Sequence, residues 1–432
     1  MTAGPESSLK PPPKAFRWIV LLFTSLAMFG NYYVYDSISP LAELLSRELG
    51  FSDANIGTLN SIYSLPNIFM VLIGGFIIDR WGTKRSLFFF AFVCLVGASI
   101  TASHGSLFVM AAGRLVFGLG AESQIVAINS AVAKWFRARE LSFALGLNLT
   151  LARLGSVAAL NSPSWAREYY ADWQLPLIIA VGAALVSALG SALYWFTEAH
   201  ADRAYALGQA AATDKVVLKD VLRFGRSYWY LVALCVTFYS AIFPFRTFGV
   251  KFLMEAHAKD LELASFLLSM LDIFAMVGTP LLGLLVDRIG KRSLFMMFGS
   301  GLLIPVFLIM AYTDVTPYVP MAMLGLAFSL VPAVIWPSVA YLVEQNRLGT
   351  AYGLMTMIQN IGLTAFNPLI GGLNDFAGAS SQNPGGYAPG MWAFTVLGCG
   401  GLLFAFLLRR RETGPDAHGL ETIRAGKKGD ID

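Results

Sequence analysis

Twelve apolar stretches, each about as long as the hydrocarbon core of a bilayer requires, govern what this chain can fold into. They run 17–37, 55–78, 86–104, 107–131, 140–162, 173–197, 227–249, 262–286, 293–313, 318–342, 349–373 and 388–409. Lipid offers no partner to a backbone N–H or C=O, so a spanning segment must be a helix or part of a closed barrel. The runs are continuous rather than alternating, which selects helices. Composition agrees: 56% of residues are hydrophobic and 13% are charged, against about 25% charged in a soluble domain. The expectation is an all-α polytopic membrane protein with twelve transmembrane helices.

The basic residues orient these spans. With the N-terminus in the cytoplasm, 24 Lys and Arg fall in inside segments and 4 in outside segments (Arg47, Arg167, Lys251 and Lys259). Arg114, Arg153 and Arg246 lie within spans. Both termini are therefore expected inside. The start, "MTAGPESSLKPPPKAF", is polar and proline-rich and shows no cleavable signal. Cys94, Cys235 and Cys399 sit in apolar runs with neither metal spacing nor disulfide logic. The net charge of +4 implies no nucleic-acid partner, because the basic residues cluster at helix ends.

One motif occurs twice. "GGFIIDRWGTKRS" begins at Gly74 and "GLLVDRIGKRS" at Gly283. Gly-x-x-x-Asp-Arg-x-Gly thus falls at Gly75, Asp79, Arg80 and Gly82, followed by Lys84 and Arg85. It recurs at Gly283, Asp287, Arg288 and Gly290, 208 residues later. That offset is half the chain, so two six-helix pseudo-symmetric bundles are expected. They would cover 17–197 and 227–411, with a cytoplasmic linker at 198–226 and cytoplasmic tails at 1–16 and 412–432. Glycine allows close helix approach. An aspartate facing basic residues on the turn can form a charge-assisted latch. A tight, positive-inside turn would also explain one copy; two copies at half-chain spacing favour gating by latches that release as the halves rock.

The repeated turn resembles the signature loop of the major facilitator superfamily, and "RLVFGLG" at Arg114 to Gly120 resembles that superfamily's fourth-helix motif. The resemblance covers about Arg17 to Arg411. It implies a central cavity opening alternately to each side. The fifth span lacks the Gly-Pro pair typical of drug–proton antiporters, which makes drug efflux the less fitting activity.

Two buried charges can be placed in depth without a template. Spans four and five form a hairpin whose turn centres near Arg137; Glu122 lies 15 residues before it and Arg153 lies 16 after it. At about 1.5 Å per residue, each sits roughly 23 Å from the turn, at matching depth near the bilayer midplane. Ionisable groups there face a partner or a cavity. Glu122 and Arg153 could simply pair with each other. Alternatively they hold the two ends of a zwitterion, glutamate taking an ammonium and arginine a carboxylate. Both could hold in turn, paired when empty and separated by substrate. Tyr63, Trp336, Gln359 and Asn360 lie at comparable depth as candidate contacts. Arg114 reads as structural or gating. Asp272 could bind a coupling proton or pair with Arg246.

A narrower resemblance then emerges. "GRLVFGLGAESQIVAINSAVAKWFRARELSFALGLNLTLARLGS", "IWPSVAYLV" and "LGTAYGLMTMIQNIGL" look like the lysosomal dipeptide-carrier branch of the superfamily and its bacterial relatives. The resemblance implies a dipeptide carrier in which Glu122 contacts the peptide amino end and Arg153 its carboxylate. The Asn148–Thr150 sequon is expected to lie inside span five and the tail carries no acidic dileucine signal. So no accessory subunit is implied, a monomer is expected, and a bacterial cytoplasmic membrane is the better address. The rival substrate is an amino acid or other small organic anion. No cofactor fingerprint, metal spacing or nucleophile elbow points to an enzyme. A scaffold needs no midplane charges, and a channel would ring its pore with one sign of charge.

Overall fold

Every apolar run forms a helix in the computed structural model, which describes residues 13–136, 140–205, 223–415 and 417–422. The first half holds α1 (Lys14–Asp36), α2 (Asp53–Trp81), α3 (Thr83–Ser103), α4 (Leu107–Phe136), α5 (Leu141–Leu160) and α6 (Gln174–Ala204). The second holds α7 (Arg226–His257), α8 (Leu261–Ile289), α9 (Arg292–Tyr312), α10 (Tyr318–Leu342), α11 (Leu348–Phe376) and α12 (Ala388–Glu412). Eleven of these are long and apolar enough to cross a membrane. The exception is α11, equal in length to α2 but carrying Gln359, Asn360, Asn367, Asn374 and Asp375. Three of these, Asn360, Asn367 and Asn374, are buried within the protein.

Local chemistry sets several helix ends. Ser52 caps α2 by accepting from the Asn55 N–H, and Asp260 caps α8 by accepting from that of Leu263. Each motif turn uses a glycine at positive φ: α2 ends on Gly82 (φ 79°) and α8 on Gly290 (φ 72°), where a side chain is strained. Some edges differ from the sequence expectation. α6 continues through Glu198 to Ala204, so the start of the expected linker is helical, and 206–222 lie outside the described residues, as do 1–12 and 423–432 of the tails. α7 runs to His257, which moves Lys251 from an outside loop into a helix.

Packing repeats along with the sequence. In the first half α1 meets α5 and α6, α2 meets α4, and α3 meets α4 and α6; in the second half α7 meets α11 and α12, α8 meets α10, and α9 meets α10 and α12. Each pairing has its counterpart six helices on. The most extensive pairings between the bundles are α5 with α8 and α2 with α11, and these are also each other's counterparts. The crossing at α2 and α11 is the tighter. A Cβ on Gly57 would lie 2.4 Å from the Asn367 carbonyl oxygen, and one on Gly371 would lie 2.3 Å from that of Asp53.

Candidate substrate cavity

A cavity of about 880 Å³ lies between the bundles. α1, α2, α4 and α5 line it from one side, and α7, α8, α10 and α11, with Arg292 of α9, from the other. It reaches the motif-bearing face, where Phe143 and Gly146 of α5 oppose Gly283 and Asp287 of α8. The opposite face is sealed by bonds between bundles. Lys251 of α7 pairs with Asp53 of α2, and Asn374 donates to the same carboxylate at 2.9 Å. Asp375 of α11 accepts from the Asp53 and Ala54 N–H groups, both at 2.8 Å, so one bundle satisfies the first turn of a helix in the other. Further in, Asn60 donates to Thr247 (2.9 Å) and the Ser61 hydroxyl to the Thr364 carbonyl (2.5 Å).

All six residues singled out as contacts border this one cavity: Glu122, Arg153, Tyr63, Trp336, Gln359 and Asn360. Several are held in place by neighbours. The Trp336 indole donates to the Tyr239 hydroxyl at 2.9 Å, and its ring stacks on Tyr352 at 6.2 Å. Asn360 donates to the Thr356 carbonyl (3.0 Å), and Gln359 accepts from the Cys235 thiol (3.8 Å). Tyr63 packs on Tyr35 at 4.9 Å and on Phe117 at 5.4 Å.

The central charges are not arranged as a Glu122–Arg153 pair. Arg153 donates instead to Asp272 (2.7 Å) and lies 4.6 Å above the Phe328 ring. Asp272, fully buried, also accepts from Arg246 at 2.7 Å, and Arg246 reaches Asp36 at 2.8 Å. The four form a chain, Arg153–Asp272–Arg246–Asp36, that crosses between bundles twice. The reason lies in helix packing: α5 runs against α8, which presents Asp272, and touches α4, which carries Glu122, far less. Glu122 has neither hydrogen bond nor ion pair among the described residues and faces the cavity. Sequence reasoning left Asp272 between a proton and Arg246; the structure gives it two arginines. It missed Asp36 altogether, although a buried Arg246 needed a carboxylate at its own depth.

Arg114 is structural in its bonding. Its guanidinium donates to the carbonyls of Leu59 (3.4 Å), Val34 (3.1 Å) and Tyr35 (3.3 Å) and to Asn60 (2.9 Å). Replacing Arg114 with leucine removes these four bonds, at about 1–3 kcal/mol for each acceptor left without another partner. The expected result is a lowered melting temperature in detergent, with ligand affinity kept in the fraction that folds. Asn148, the sequon asparagine, donates to Ser25 inside the bundle at 3.1 Å and is buried.

The gating candidates cluster at the open face. In the second copy Asp287 pairs with Arg292 at 2.7 Å, Gly283 borders the cavity with open space around it, and Arg288 is exposed. In the first copy Gly75 is buried while Asp79, Arg80 and Arg85 are exposed. Lys84 pairs with Asp202 of α6. Glu198 of α6 accepts from Lys134 (3.0 Å) and Thr83 (3.1 Å). Glu421 serves the second copy similarly, accepting from the Ser293 N–H at 2.9 Å. Each motif turn is thus tied to its own bundle while the cavity is open beside it.

A family profile described as Major Facilitator Superfamily matches residues 24–367, with a second match over 251–428. The chain belongs to the Major Facilitator Superfamily. It is a multi-pass membrane transporter, not an enzyme. The lysosomal dipeptide transporter MFSD1 of Danio rerio is 33% identical over 379 residues, covering 84% of this chain and 81% of that protein. The hexuronate transporter of Escherichia coli (strain K12) is 24% identical over 391 residues, 85% of this chain and 90% of that one. The crystal structure of the nucleoside transporter NupG superposes with a TM-score of 0.71 at 14% identity, over 90% of this chain and 98% of that one. This last likeness concerns the fold alone.

Proposed function

We propose that the protein carries dipeptides by alternating access, the amino end held by Glu122 and the carboxylate by Arg153. The observation that carries the reading is the pairing of opposites in one cavity: a carboxylate on α4 with no ion pair among the described residues, and an arginine on α5 with 18% of its side chain exposed. The named activity of the 33% identical relative points the same way. Tyr63, Trp336, Gln359 and Asn360 complete the walls around the peptide. A cavity of about 880 Å³ exceeds what two backbone termini need and leaves room for varied side chains. The bundles pivot about this site, and the motif turns form the inner gate.

The open face is assigned to the cytoplasm by the basic-residue bias, which places both termini inside. We assign the protein to a bacterial cytoplasmic membrane, acting as a monomer without an accessory subunit. A thermal-shift screen tests the substrate. Free dipeptides should stabilise the purified protein, by about 2.7 kcal/mol at a hundredfold excess over Kd. Amino acids, tripeptides and N-acetylated dipeptides should do so less. Equal stabilisation by acetylated peptides would remove Glu122 from its role. The hexuronate-carrying relative supports one other reading, a sugar acid held by Arg153 alone. Under that reading glucuronate stabilises the protein and Glu122→Gln leaves its binding unchanged.

A further inference from the structure

Asp272 occupies the position on Arg153 that a substrate carboxylate would need. Its Oδ1 accepts from Arg153 at 2.7 Å, while its Oδ2 accepts from Arg246 at 2.7 Å. Arg153 borders the cavity and is partly exposed, whereas the Asp272 side chain is fully buried. A ligand can therefore approach Arg153 from the cavity but cannot approach Asp272. The two residues stand on opposite bundles, α5 and α8. The other bundle-crossing pair of the chain, Arg246 with Asp36, joins α7 to α1 at 2.8 Å.

We infer that Asp272 is an internal stand-in for the substrate carboxylate, which must displace it from Arg153 to bind, and that this exchange releases the sealed face. The inference rests on the reading of Arg153 as the carboxylate site, and goes beyond it by making that site the trigger. In the empty carrier Arg153 is neutralised by Asp272, so no lone cation is left in the bilayer core. An arriving carboxylate takes the guanidinium. Asp272 keeps Arg246 as partner, so it is not stranded. One of the two central ion pairs between the bundles is gone, and the ligand has coupled its charge to the opening of the sealed face. A ligand without a carboxylate leaves the pair intact. Selection thus falls on the step that permits rocking as well as on affinity.

The test compares alanyl-alanine with its C-terminal amide on wild type and Asp272→Asn. Competition by Asp272 lowers apparent affinity by the fraction of time Arg153 is free. Its removal should tighten binding of the free acid by about tenfold or more, with the amide unchanged. Equal or weaker acid binding by Asp272→Asn overturns the inference. A second measurement does not depend on that variant folding. Ser61 lies buried in the sealed face, so S61C in a background lacking Cys94, Cys235 and Cys399 reports its opening. The acid should accelerate thiol labelling and the amide should not; equal acceleration by both overturns the inference. If wild type binds glucuronate and no dipeptide, the dipeptide reading fails, and glucuronate against glucuronamide tests Asp272 in the same way. A protein that binds neither acid overturns both readings.

Discussion

Replacing Arg153 with alanine is expected to abolish dipeptide uptake, cutting it on the order of a hundredfold or more while the protein still inserts and folds. Truncating one partner of a buried, hydrogen-bonded charge pair costs about 2–5 kcal/mol, and each 1.4 kcal/mol is about tenfold. The loss is double here. The substrate carboxylate loses its planar fork, and Asp272 is left to share Arg246 with Asp36. Arg153→Lys keeps the charge but not the fork, so it should recover only part of the activity. Glu122→Gln should match the alanine variant in lost uptake, yet it disturbs no ion pair in the resting structure, so its melting temperature should stay near wild type. Uptake by reconstituted liposomes, read beside size-exclusion profiles, checks both. Undiminished transport by either Arg153→Ala or Glu122→Gln would end the two-ended clamp.

The depth of the two charges was legible because helix rise is constant and the hairpin turn between α4 and α5 was marked by Lys134, Arg137 and Arg139. Counting residues from that turn places Glu122 and Arg153 level without knowing which helices touch. What counting could not supply is azimuth. Whether Arg153 points at α4 or at α8 depends on how helices far apart in sequence pack, and the sequence carries no marker for that rotation. The same limit hid Asp36. It stands in the last turn of α1, and only the packing of α7 brings Arg246 against it.

The seal shows a different limit. Lys251 reads as an outside-loop charge, because the apolar run of span seven fades after Gly249. α7 nevertheless continues to His257, and its extra two turns carry Lys251 to Asp53. Hydropathy marks where lipid contact ends, not where a helix ends, and a helix buried by its own protein outlasts the lipid. α11 makes the same point from within. Its asparagines leave it short of the apolarity the other eleven helices have, because they serve the cavity wall and the seam with α2. The repeat was legible for the opposite reason. Gly82 and Gly290 are fixed by a backbone conformation, and a conformation leaves its mark at a single position.

That seam carries the last large effect. Gly371→Val is expected to stop transport by preventing the sealed face from closing. A Cβ there would lie 2.3 Å from the Asp53 carbonyl oxygen and 2.7 Å from the Ala54 nitrogen, both backbone atoms. Ordinary contact needs about 3.5 Å, so α2 and α11 must part by about 1 Å or more. Backbone at the first turn of α2 cannot yield separately, because Asp375 holds its N–H groups and Asn374 and Lys251 hold the Asp53 carboxylate. The substitution should leave each bundle intact, since α2 packs within its bundle on α4 and α11 on α7. It penalises only the closed seam, biasing the protein toward the state open on that side. Gly57→Val, facing the Asn367 carbonyl, should act alike and somewhat less, with one carbonyl group and Pro368 in its way. In both variants a cysteine at Ser61 should label rapidly without ligand. In wild type its labelling should wait for a bound carboxylate. Slow labelling together with normal uptake in Gly371→Val would mean that the seam yields elsewhere and that these glycines do not set the closure of the carrier.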